Sequence, residues 1–166
     1  SYKCAIASAF KDAAGIVAES WLVSPIIDMT SILSTDDINL SFTQMSQKQG
    51  DANEYMLKIK NVSDNGAWEN LTFEQPEAGF KAMLVNIKLQ VYAGKKIQLA
   101  FVYKNAKTDS APKWEIQNVK IGVTPGVPGG TEDDPLTCAE VIALNNTAAG
   151  PYYVKGYIIG LSLIHI

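Results

Sequence analysis

Residues 95–104 read KKIQLAFVYK, and their alternation decides the fold. Ile97, Leu99, Phe101 and Tyr103 fall on one side of an extended chain, because successive side chains of a strand point to opposite faces. The same period of two recurs along most of the sequence. In INLSFT (38–43), Ile38, Leu40 and Phe42 share a face; in EYMLKIK (54–60), Tyr55, Leu57 and Ile59 oppose Lys58 and Lys60. AMLVNIKLQV (82–91) aligns Met83, Val85, Ile87, Leu89 and Val91. Turn formers separate the runs at Gln49-Gly50-Asp51, Asp64-Asn65-Gly66 and Ala93-Gly94-Lys95. Repeated half-apolar strands with short turns and few helices predict an all-β, antiparallel β-sandwich.

In WEIQNVKIGV (114–123) the phase slips: Trp114 and Ile116 share one parity, Val119, Ile121 and Val123 the other. One extra residue at Gln117-Asn118 would return them to a common inward face, so a β-bulge is expected there.

The bulk composition restricts function. The 166 residues are 47% hydrophobic and 19% charged, enough for a packed core. A net charge of −3 gives no basic footprint for nucleic acid, and no apolar run is long enough to cross a bilayer as a helix. SYKCAIASAF opens without a Met or a signal-peptide pattern and is read as a boundary inside a longer protein. Cys4 and Cys138 are far apart and lack metal-ligand spacing, so they read as small thiols.

After Val123 the texture changes. TPGVPGGTEDDP carries Pro, Gly and acids without apolar period, which makes 124–135 a linker between a domain at 1–123 and a piece at 136–160. Thr137 and Glu140 form a T-x-x-E capping box ahead of CAEVIAL, and YYVKGYIIG (152–160) reads as a strand. Such a short piece cannot close a core of its own, so it reads as the start of a truncated second domain. Leu161–Ile166, LSLIHI, is the translation of a transposon end used as a sequencing adapter, and is expected to be an artefact. It carries His165, the single histidine, so the rest of the chain offers no Ser-His or Cys-His couple.

Candidate site residues follow from residue type and loop placement. Asp36-Asp37 and Asp133-Asp134 are paired acids, but neighbours on a strand face opposite ways and the second pair lies in the linker. Asp51, Asn53 and Glu54, in the loop GDANEY, offer oxygens of the kind calcium takes, as does Asp28 after the Ser24-Pro25 break. Each has an ordinary alternative as a turn cap. No resident cofactor is expected beyond a structural calcium ion. Trp21 and Trp114 sit in apolar strands and read as core. Trp68 follows a turn and reads either as packing or as a ring that stacks on sugars, with Asn65, Glu69 and Asn70 supplying hydrogen bonds. N-x-S/T sequons occur at Asn61, Asn70 and Asn145. No glycine-rich phosphate loop and no G-x-S-x-G motif is present, which disfavours a nucleotide-dependent enzyme.

The segments WLVSPIIDM, LSF, EYMLKIKNVS, AWENLTF, VYAGKKIQLAFVYKN and WEIQNVKI, in that order, resemble the choice-of-anchor J family, which is similar to the cleaved-adhesin domains of bacterial surface proteases and haemagglutinins. The resemblance spans roughly residues 4–123. It implies a non-enzymatic jelly-roll sandwich, missing its first strand, on secreted or outer-membrane surface proteins, often lipoproteins, chiefly of Bacteroidota. Relatives often carry W-x-I-D-D-V in the last strand, where the acids help hold calcium; Gln117 and Asn118 stand here instead. TCAEVIALNNTAAGPYYVKGYIIG is similar to the opening of an OB-fold-like domain. In WLVSPIIDMT, Pro25 then marks an edge or bend in a strand that anchors the sandwich.

The functional expectation is a binding module for an extracellular glycan or protein polymer of host or matrix, with no nucleic-acid partner. The alternatives are a structural spacer in a multi-domain lipoprotein and an accessory domain of a secreted hydrolase.

Overall fold

The computed structural model describes residues 3–12, 14–124, 135–143 and 153–156. The chain divides into two compact units, Ser1–Thr124 and Pro125–Ile166. In the first unit the strands are β1 (Ala5–Ala7), β2 (Phe10–Lys11), β3 (Ala14–Gly15), β4 (Ala18–Val23), β5 (Ile27–Asp28), β6 (Asp37–Ser46), β7 (Tyr55–Asn61), β8 (Trp68–Leu71), β9 (Met83–Lys88), β10 (Lys96–Asn105) and β11 (Trp114–Thr124). Two antiparallel sheets carry the architecture. One has the order β1-β11-β6-β9, the other β4-β10-β7-β8, with β5 prolonging the β4 edge along β10. Strands alternate between the sheets in the pattern of an eight-stranded jelly roll, so the expected sandwich is observed. The first-strand place, expected to lie before the chain, is filled by β1, which is only three residues long and pairs Ala5–Ala7 with Trp114–Ile116.

The inward faces are those the alternation marked. Ile38, Leu40, Phe42, Tyr55, Leu57, Ile59, Ile97, Leu99, Phe101 and Tyr103 are all buried between the sheets. Trp114 is the central aromatic: it stacks on Tyr55 at 5.0 Å between centroids and meets Phe101 and Phe73 at 6.1 and 6.4 Å. Each fully buried side chain of this kind stabilises the fold by about 1.5–3 kcal/mol. Trp114 Nε1 donates to Gln44 Oε1 at 3.1 Å, and Gln44 Nε2 donates to the Glu74 carbonyl, so the buried amide is satisfied at both ends.

Two local expectations are modified. Val91 is exposed rather than inward, because β9 stops at Lys88 and a 3₁₀ turn occupies Gln90–Tyr92. The Gln90 side chain holds that turn by donating to the carbonyls of Ser34 and Asp36. In β11 the bulge is present. Gln117 pairs with Thr43 and Lys120 with Ser41, so Asn118 and Val119 together oppose Phe42, and Asn118 takes φ +55°. Ile121 turns inward again and packs, partly buried, against the core. Val119 and Val123 do not bury, because β11 there borders the open side of the sandwich. A cavity of about 490 Å³ lies on that side, lined by Leu22, Val23, Ile27, Phe101, Val119 and Ile121 among others.

β4 and β5 form the outer edge of the second sheet. The register to β10 shifts between Val23, opposite Ala100, and Ile27, opposite Ile97. Pro25 sits in that break, where no amide hydrogen is required, as expected for an edge anchor. In the second unit, β12 (Leu136–Thr137) pairs in parallel with β13 (Val154–Lys155), and helix α1 spans Cys138–Ala143. Thr137 directly precedes the helix, while the Glu140 side chain, the 124–135 linker beyond Thr124 and Pro135, most of the 152–160 strand and the 161–166 tail lie outside the described residues. Among the described residues no helix is long and apolar enough to cross a membrane.

Candidate functional site

The outer face of the second sheet, the one turned away from the core, carries the only two tryptophans that are not in that core. Its floor is set by β10, where Ala100 and Val102 point outward by alternation yet are fully buried. Something must cover them. Val102 lies between Trp21 on β4 and Met56 on β7, and Ala100 lies between Val23 and Lys58. β4 and β8 are separated by three inter-strand steps, about 14 Å at the usual spacing. The indoles of Trp21 and Trp68 nevertheless meet at 5.7 Å between centroids, edge to face at 66°. Both rings therefore lean inward over the middle strands, which small side chains such as Ala100 permit. Such a pair contributes about 0.5–1.5 kcal/mol beyond the area it covers.

Polar groups frame the indoles. Trp21 Nε1 donates to Glu19 Oε1 at 2.7 Å. Lys58 Nζ stands 5.8 Å from the Trp21 ring centroid and donates to Asn70 Oδ1 at 2.7 Å. Lys60 faces Trp68 across the β7–β8 pair. The result is an aromatic platform with a carboxylate, an amide and two ammonium groups on the same side of the sheet. Trp21 is 42% exposed as a residue, with the Trp68 ring and Lys58 Nζ against its indole. That corrects the sequence expectation of a core Trp21: β4 is an edge strand with a nearly uncovered burial pattern, and its apolar letters do not imply two buried faces.

The other predicted residues fall in different places. Trp68 and Asn70 belong to the platform. Glu69 pairs opposite Ile59 and turns to the inward side of the sheet edge, where its charge, second to burial, raises the Tyr92 phenol. Asn65 is in the Asp64–Gly66 turn at φ +50°, its amide bonded to the Val62 carbonyl; it forms the turn rather than the platform.

The oxygen-rich candidates form turn caps and ion pairs. Asp28 Oδ1 accepts from the Thr30 amide at 3.0 Å and the Thr30 hydroxyl at 2.6 Å, and Oδ2 is 3.2 Å from Lys96 Nζ. The Thr30 bonds, then Lys96, hold its carboxyl down to about 2. Asp51 Oδ1 accepts from the Asn53 amide at 2.7 Å and from Asn53 Nδ2 at 3.1 Å. Glu54 Oε1 lies 3.1 Å from Lys107 Nζ, an arrangement that raises the lysine. Asp28 pairs at the Lys96 end of β10, whereas Tyr55, next to the loop, pairs at Tyr103. Seven residues of strand, about 23 Å, separate them, so these four do not form one calcium shell. Among the described residues no three His, Cys, Asp or Glu side chains gather as a metal site.

No family model matches the chain, and no curated protein matches it. Solved structures do. One, described as "CBM4 structure and function", is 13% identical, with 63% of this chain and 72% of that chain covered and a TM-score of 0.38. Another, the K1 cleaved adhesin domain of Lys-gingipain (Kgp) from Porphyromonas gingivalis W83, is 17% identical, with 74% and 75% covered and a TM-score of 0.41. Sequence alone reached Trp68 and Asn70 but missed Trp21 and Lys58. For Trp21 the signal that could have found it is the mixed parity of β4, where Glu19 and Trp21 alternate with Ser20 and Leu22 so that neither face is uniformly apolar.

Proposed function

We propose that the sandwich is a non-catalytic module that holds an extracellular glycan on the outer face of its second sheet. The observation that carries this reading is the Trp21–Trp68 pair, two large rings kept partly in solvent over a rigid floor of Ala100 and Val102. Indole faces pack against the apolar faces of sugar rings, and Glu19, Lys58 and Asn70 stand where hydroxyl groups around the ring would be met. A strand-borne platform keeps this geometry without a closing loop. The setting that goes with it is a secreted or surface protein. A calcium ion at the Asp51–Glu54 loop is a separate proposal, read by calcium titration of the chain.

The test is retention of the chain in affinity gels cast with a panel of plant, algal and host polysaccharides, beside Trp21→Ala and Trp68→Ala. Retention by at least one polymer, lost in both variants while far-UV circular dichroism is unchanged, is expected. Retention that survives both substitutions would place the binding surface elsewhere, and no retention on any polymer would refute the glycan reading.

A further inference from the structure

Resting on that reading, the geometry points to an anionic saccharide, one bearing carboxylate or sulfate groups, as the ligand of the Trp21–Trp68 face. The argument is the charge on this face. The molecule as a whole carries −3. By strand alternation, four lysines project from the outer side of the second sheet (Lys58, Lys60, Lys96 and Lys104) against two carboxylates, Glu19 and Asp28. Both carboxylates are already engaged: Asp28 lies 3.2 Å from Lys96, and Glu19, which accepts from Trp21 Nε1 at 2.7 Å, lies 3.8 Å from Lys104. Lys58 and Lys60 have no carboxylate partner among the described residues. They are two apart on β7, so their stems rise side by side about 7 Å apart.

Two like charges at that spacing repel, and among the described residues no carboxylate pairs with either of them. A neutral sugar would leave the repulsion in place. A ligand with an acidic group every residue or two along its chain removes it, while its pyranose rings keep the indole contacts. Lys58 links the two functions: its ammonium stands over the Trp21 ring and is oriented by Asn70 Oδ1, so an anion bound there completes an ion pair whose donor is already positioned. Lys60 sits beside Trp68 and extends the positive strip along the strand. A carboxylate and a sulfate ester present the same oxygens to these lysines, and the experiment separates the two.

The test uses the whole chain in affinity gels containing polygalacturonate, a sulfated galactan, or neutral hydroxyethylcellulose and xyloglucan. Lys60→Gln and the double variant Lys58→Gln/Lys60→Gln are compared with Lys88→Gln, which removes the same charge from the first sheet. The expected result is stronger retention by one of the acidic polymers, weakened about two- to fivefold per lysine removed and about tenfold between 0.05 and 0.5 M NaCl. Lys88→Gln and Lys60→Arg are expected to bind like the parent. Polygalacturonate retention identifies the carboxylate form, and galactan retention the sulfate form. Retention by the neutral polymers alone, indifferent to salt and to both lysine variants, would overturn the anionic inference and leave the glycan reading standing. Equal loss in Lys88→Gln would show only a bulk charge effect and would also overturn it. No retention in any gel would overturn both.

Discussion

Trp114 and Gln44 allow the packing account to be tested as a pair. Trp114 is 1% exposed and Gln44 is 0% exposed, and the indole N–H is the donor to Gln44 Oε1. Replacing Trp114 by Phe keeps a ring in the stack on Tyr55 but removes that donor. The lost ring area, about 40 Å², costs about 1 kcal/mol, and a buried amide oxygen left without a partner costs about 1–3 kcal/mol more. The single variant is therefore expected to lose about 2–4 kcal/mol. Gln44→Leu orphans the indole N–H instead and also removes the bond to the Glu74 carbonyl. In the double variant neither member of the pair is left orphaned, while the Glu74 loss is common to both Gln44 variants and cancels. The two substitutions should thus be non-additive, the double variant retaining about 1–2 kcal/mol more stability than the sum predicts. Urea unfolding followed by far-UV circular dichroism at neutral pH measures all four corners. Additivity within about 0.3 kcal/mol would mean that this hydrogen bond does not form, and the inner aromatic stack would have to be redrawn.

Three further outcomes follow from single residues. Asp28 titrates near 2 in the fold against 3.8 ordinarily, so its contribution is present above about pH 4 and is lost as pH falls towards 2. Asp28→Asn should be less stable than the parent at pH 7 and converge with it near pH 2; parallel curves in a pH series of urea midpoints would refute this. Tyr55 is pushed up to about 12, first by burial, so the fold loses stability as pH rises from about 10 towards 12. Tyr55→Phe should show a flatter alkaline limb, and an unchanged limb would contradict the burial argument. At the bulge, Asn118 holds φ +55°, a conformation that Asn and Gly tolerate and β-branched residues do not. Asn118→Val should cost about 1–2 kcal/mol while Asn118→Gly stays within about 1 kcal/mol of the parent; equal effects would place that backbone elsewhere.

What the sequence exposed and what it hid divide along a physical line. Strands buried on one face announce themselves by alternation, so β6, β7 and β10 could be read with their inward sets residue by residue. The phase slip in β11 disclosed its bulge because one inserted residue has no other simple consequence. Edge strands carry no such signature. β4 reads as apolar in WLV, but Trp21 shares the outward parity of that edge strand with Glu19 and Val23, so it lies on the outer face rather than in the core. Val91 looked like a strand residue because nothing local reveals that Gln90 reaches the carbonyls of Ser34 and Asp36. The candidate site was half readable for the same reason. Trp68, Asn70 and Lys58 belong to the neighbouring strands β7 and β8, whereas Trp21 comes from a strand distant in sequence and meets them only once the sheet order is set. The oxygen-rich loop illustrates a different limit: Asp51 accepts from the Asn53 amide and side chain as a turn cap, and letters alone do not separate that arrangement from metal ligation.

The most direct test of the central claim is an amide and indole NMR titration with an oligosaccharide of whichever polymer retains the chain. The shifts should concentrate on Trp21 and Trp68, including their indole N–H signals, and on Lys58, Lys60 and Asn70. Shifts clustered instead on the first sheet, or around Leu22 and Ile121 in the cavity between the sheets, would contradict it.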